Sequence, residues 1–145
     1  MTGGIGFVGG CLLEYLCRGQ KAVHLSSTGS ETYAMSVNAR EIILQRRLLE
    51  VFRLPQVGPT VMRVDNQASI ALSENAIQLT DLSKHLAVRD RFIREAVRDR
   101  VVKLVWVSTK FNLADFFTKL LPTYNFPVFL AVAIGRVSLG SLGSA

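Results

Sequence analysis

Glu31, Asp65 and Asp115 are the three acids of this chain whose surroundings could do chemistry. Asp65 closes the β-branched run Val61-Met62-Arg63-Val64 and is followed by a helix-forming stretch. That puts a carboxylate at the carboxyl end of a strand, where the loops and helix N-termini of an open α/β sheet converge on ligands. Asp65 or Asn66 could instead do no more than cap the following helix. Glu31, Met35, Ile42 and Leu49 are spaced by four, seven and seven residues. At about 3.6 residues per turn, such spacing holds them within about 40° of one another on a helix. Glu31 thus shares the face that packs inward and is poised to meet Asp65. Two carboxylates brought together repel unless a proton or a cation lies between them. Asp115 falls in the first turn of a short helix after a strand, where a lone acid can also serve only the helix dipole.

The elements that must position these acids follow from the pattern. A glycine-punctuated hairpin comes first, with a strand near Gly4 to Val8, a turn at Gly9-Gly10 and a second strand ending in Ala22-Val23-His24-Leu25. The hydroxyls of Ser26-Ser27-Thr28-Gly29-Ser30 suit the start of a long helix from about Ser30 to Phe52, limited by Pro55. After the strand ending at Asp65, a short helix reaches about Glu74, and a polar connection leads to Lys84. A third helix runs from roughly His85 to Arg100, with Leu86, Ile93 and Val97 along one stripe and Arg91, Arg94 and Arg98 along another. Lys103 to Val107 reads as a further strand and Asn112 to Lys119 as the short helix bearing Asp115, closed by Pro122. Thr123 to Ala145 mixes an apolar patch with a Gly/Ser tail and suggests no site.

The totals narrow the class. With 145 residues, 49% of them hydrophobic and 19% charged, the chain is one compact domain or a piece of one, too apolar for a disordered segment. A net charge of +6 and a pI near 9.8 favour a polyanionic partner, nucleic acid before an acidic membrane surface. The arginine row could be a solvated helix face, but its spacing also suits phosphates along a duplex. Cys11 and Cys17 supply neither a disulfide framework nor a zinc site, and fit a reducing compartment. The apolar run from Phe126 to Ile134 falls far short of the ~20 residues that span a bilayer. Met1 is followed by glycines and not by a secretory signal, so an intracellular location is expected.

Gly4-Ile5-Gly6-Phe7-Val8-Gly9 has the spacing GxGxxG of a dinucleotide-binding turn. That fingerprint needs a buried strand before the glycines and an acid about 20 residues later for the ribose. Only Met1, Thr2 and Gly3 precede Gly4, and the later stretch reads Val23-His24-Leu25-Ser26-Ser27. A nicotinamide-binding protein is therefore a minor alternative to the hairpin.

Taken in order, the short segments Gln20-Lys21-Ala22-Val23, Leu25-Ser26-Ser27-Thr28, Glu31, Arg46-Arg47-Leu48-Leu49, Asp65-Asn66-Gln67-Ala68-Ser69-Ile70-Ala71-Leu72, Ser83-Lys84-His85, Phe92-Ile93-Arg94-Glu95 and Leu113-Ala114-Asp115-Phe116-Phe117-Thr118-Lys119 form one pattern. By them the chain resembles the ribonuclease H domain at the end of the polyprotein of copia-type retrotransposons. The likeness covers residues 1–121 and leaves 122–145 as a divergent tail. It implies an α/β fold, a ribonuclease H-like mixed sheet flanked by helices, with the first and central strand missing. It implies hydrolysis of the RNA strand of RNA-DNA hybrids by two magnesium ions held on carboxylates. Glu31, Asp65 and Asp115 match three of the acids that serve as catalytic and metal-binding residues. Asn66, Gln67 and Lys84, together with Arg91, Arg94 and Arg98, fall on the nucleic-acid side, and the resemblance implies a reverse transcriptase domain upstream. The family's first metal-binding Asp has no counterpart here, so the isolated chain is expected to be inactive or nearly so. The competing expectation is a nucleic-acid-binding remnant in which the arginines matter and the acids do not.

Overall fold

A computed structural model describes residues 1–19, 27–74, 84–119 and 126–136. The chain divides into two compact units, Met1–Ala22 with Val107–Ala145, and Val23–Trp106. The class is the one expected, α/β with both antiparallel and parallel strand pairing and flanking helices. Among the described residues the strands form two separate two-stranded sheets.

The first unit opens on the hairpin of β1 (Thr2–Val8) and β2 (Cys11–Arg18), antiparallel with an irregular register between Gly6 and Phe7. Gly9 and Gly10 make the two-residue turn with φ of 59° and 81°. Two consecutive positive φ angles match the right-handed twist of the strands, and glycine adopts them without a Cβ clash. The GxGxxG motif is thus spread over β1 and its turn and is followed by a strand, so the dinucleotide alternative has no helix N-terminus to work with. The second strand follows the turn directly; its expected extension through Ala22-Val23-His24-Leu25 lies outside the described residues.

Two 3-10 turns, Thr109–Phe111 and Leu113–Phe117, stand where a short helix over Asn112 to Lys119 was expected. Gly3 packs on the second of them so closely that a Cβ there would lie 2.7 Å from Thr118 Cγ2 and 2.8 Å from the Ala114 carbonyl oxygen. The Cys17 thiol donates to the Phe117 carbonyl at 2.9 Å, and the Tyr15 ring stacks on Phe117 at 5.5 Å. The apolar patch of the region read as a divergent tail forms α4 (Phe126–Ala133). Pro127 is tolerated in its first turn, where amides have no intrahelical acceptor. Phe129 stacks on Phe116 at 4.3 Å and meets Phe117 edge-on at 5.8 Å, which gives the apolar run a partner within the unit.

The second unit contains α1 (Ser27–Val51), β3 (Thr60–Val64), α2 (Gln67–Glu74), α3 (Lys84–Arg98) and β4 (Val102–Trp106). β3 and β4 run parallel, with Thr60 opposite Val102 and Val64 opposite Trp106. Alternation along the strands sends Met62, Val64, Val102 and Leu104 into a core with Met35, Ile93 and Ala96. Val61 on the other face is 52% exposed, and Arg63 and Lys103 beside it are exposed as well.

Both long helices end on an arginine in the left-handed region, Arg53 at φ 61° and Arg100 at φ 55°. The Leu54 amide donates to Leu49 and the Arg53 amide to Glu50; Val101 and Arg100 repeat the pair on Ala96 and Val97. This is the paired terminal bonding that usually selects glycine, as Gly135 does after α4 at φ 73°. Arg46 reaches from α1 to the loop before β3, donating to the carbonyls of Gln56 and Gly58 and to Thr60 Oγ1 at 2.7–3.0 Å. The late part of α1 therefore lies beside the start of β3.

Candidate functional site

β3 is a strand because Thr60, Val61 and Val64 are β-branched and alternate sides are buried. Its end delivers Asp65 into a solvent-open cleft of about 600 Å³ lined by Glu31, Asp65, Asn66, Gln67, Ala68 and Trp106. Glu31 comes from the first turns of α1, one turn before Met35, which is 3% exposed in the core. A helix anchored by Met35 therefore carries Glu31 to the sheet end, as the face analysis required. Glu31 and Asp65 are both half-buried, and they are the charged groups of the lining.

The capping role that competed for Asp65 belongs to Asn66. Its side-chain oxygen accepts from the Ser69 amide at 3.1 Å, which satisfies one of the free donors at the start of α2. Asp65, one residue earlier, stands at the cleft. Gln67 and Ala68, in the first turn of α2, are exposed and line the cleft. The cleft thus brings two carboxylates to the start of a helix, and carboxylate oxygen is the kind of donor that hard cations take.

Asp115 belongs to the other unit. It is 7% exposed, the most buried carboxylate among the described residues, and its two oxygens have different partners. Lys119 Nζ lies 2.7 Å from Oδ2, and Asn112 Nδ2 donates to Oδ1 at 3.1 Å. Asn112 also caps the turn, accepting from the Ala114 amide at 3.2 Å. Within either unit, no three His, Cys, Asp or Glu side chains gather to hold a metal among the described residues.

The arginine row of α3 is not uniform. Arg91 bonds Glu95 and Arg94 bonds Asp90, each across one helical turn, and Arg98 bonds its neighbour Asp99, at 2.7–2.9 Å. The Arg91 and Arg98 side chains are 82% and 72% exposed, whereas Arg94 is 21% exposed over a 13% exposed Asp90. The hydrogen bond and charge of Asp99 hold the Arg98 guanidinium above its ordinary range. Two of the three arginines are thus presented to solvent and the middle one is built into the unit. The side chain of Lys84 lies outside the described residues.

Trp106 is the lining residue that the sequence reading did not single out. A lone aromatic at the end of an apolar strand reads as core, and its place depends on the strand register. No described helix is long and apolar enough to cross a membrane.

The known proteins to which the chain is similar include retrovirus-related Pol polyproteins of plant transposons. The retrovirus-related Pol polyprotein from transposon TNT 1-94 of Nicotiana tabacum is 36% identical over 120 residues, 83% of this chain and 9% of the relative. The corresponding polyproteins from transposons RE1 and RE2 of Arabidopsis thaliana are 29% and 30% identical over 94% and 88% of this chain. The chain spans 9% of the length of each of these curated relatives. No protein-family model and no solved structure matches it.

Proposed function

From its origin in the retrovirus-related Pol polyproteins of transposons, we propose that this chain is the ribonuclease H segment of such a polyprotein. In this reading the Glu31–Asp65 cleft is where magnesium and the RNA strand of an RNA-DNA hybrid meet. The observation that carries it is convergence: the start of α1 and the end of β3, far apart in sequence, bring two carboxylates to one open cleft. Bound there, magnesium would supply a Lewis acid and would ease loss of a proton from a bound water, giving the hydroxide that attacks a phosphodiester. Glu31 and Asp65 hold the cation through hard oxygens and offset their mutual repulsion by doing so. Asn66, by capping α2, fixes the backbone that presents Asp65.

Turnover by the chain alone is expected to be slight, because its cleft gathers two carboxylates and Asp115 is engaged by Lys119. That ion pair also favours a second reading, binding of nucleic acid without hydrolysis, for which the +6 charge suffices. Magnesium titration followed by thermal unfolding, with cleavage of a labelled hybrid read in parallel, separates the two. A midpoint that rises with magnesium, lost in Asp65→Asn and Glu31→Gln, supports the metal site. Hybrid binding that ignores both magnesium and Asp65→Asn would leave binding alone.

A further inference from the structure

Trp106 is the part of the cleft that cation chemistry does not account for. It is the chain's single tryptophan. It ends β4 directly opposite Val64, the residue before Asp65. Val102 and Leu104, which precede it in the same alternation, are 2% and 5% exposed, whereas Trp106 is 50% exposed and lines the cleft. Its indole therefore continues the helix-covered side of the strand past the core and out into the cleft. Carboxylates that hold a cation have no use for a flat apolar ring. A nucleobase does, because every base has a π-face and gains from losing water against an aromatic one.

We propose that Trp106 is a stacking platform on which a nucleobase of the bound strand lies. The inference rests on the nucleic-acid reading of this cleft and adds which part of the ligand the cleft touches. Such a contact tolerates any base, needs no cation, and contributes a part of the affinity that salt does not screen.

The test uses the intact chain in EDTA, with its single indole as reporter. A mixed-sequence single-stranded oligoribonucleotide should quench Trp106 fluorescence, and an abasic strand of equal length should quench it much less. Binding of a labelled strand, followed by anisotropy, should weaken roughly tenfold or more in Trp106→Ala. Trp106→Phe, which keeps a ring, should stay within a few-fold of the parent and guards against a variant that fails to fold. Equal quenching by both strands, no quenching on binding, or unchanged affinity in Trp106→Ala would overturn the stacking role. If magnesium stabilisation holds while quenching is absent, this inference falls and the metal reading stands. If quenching and the Trp106→Ala loss hold while magnesium does nothing, the metal reading falls alone.

Discussion

Gly3 offers the sharpest test of how the unit that carries Asp115 is assembled. An alanine Cβ at that position would sit 2.7 Å from Thr118 Cγ2 and 2.8 Å from the Ala114 carbonyl oxygen, where ordinary contact begins at 3.4 Å. The hairpin and the 3-10 turn must therefore separate by about 0.6–0.7 Å. One obstacle is backbone and the other is the stiff branch of a threonine, so neither can swing aside. Overpacking of this kind costs about 1–3 kcal/mol. In a unit of this size that lowers the melting midpoint by roughly 4–8 °C per kcal/mol. Thr118→Ser removes one of the two obstacles and leaves the carbonyl. The double variant Gly3→Ala/Thr118→Ser should recover part of the loss, with a coupling of about 0.5–1 kcal/mol in a double-mutant cycle. Urea or thermal unfolding of the four proteins measures it. A Gly3→Ala chain as stable as the parent, or a cycle with no coupling, would refute the close approach and with it the account of what positions Asp115.

Arg53→Gly and Arg100→Gly should each be more stable than the matching alanine variant by about 0.5–1 kcal/mol in urea, because only glycine adopts the left-handed φ without a Cβ penalty; the reverse order would contradict the helix-end geometry. Ile93→Ala, at a position 1% exposed in the core of the second unit, should lose about 2–5 kcal/mol, read in the same assay. Arg91→Gln and Arg98→Gln should flatten the salt dependence of nucleic-acid binding with little effect on stability. Arg94→Gln should instead destabilise, since it leaves the nearly buried Asp90 without its partner. Three equal changes in salt slope would show that burial does not separate them.

Strong periodicity made much of the second unit legible. The seven-residue recurrence through Met35, Ile42 and Leu49 defined α1, and the β-branched runs before Asp65 and Trp106 defined the parallel strands. The Asp65 and Glu31 convergence followed from those two periods. Whether Asp65 or Asn66 capped α2 could not be read, since both residue types cap and only the bond to the Ser69 amide decides. The helix α4 was hidden because an eight-residue apolar run has no polar face to reveal its period; its partners are phenylalanines of the preceding 3-10 turn. The partners of the arginine row were present at the right spacing, but burial of Arg94 is a tertiary fact. Trp106 needed the register of β3 against β4 before it could be placed at the cleft.

The open face of that parallel pair bears on how the protein behaves in solution. Parallel sheets usually have both faces covered, and a short pair with an uncovered one invites association. Here Val61 lies opposite Lys103 and Arg63 opposite Val105, so apolar and cationic side chains alternate like the squares of a chequerboard. No apolar stripe runs unbroken across the two strands, and like-charged copies repel when these faces approach. Such protection is electrostatic and therefore fades as ions screen it over about 10 Å at 0.1 M. Colloidal stability of the chain should accordingly fall with added salt, the opposite of what a face guarded by shape alone would do.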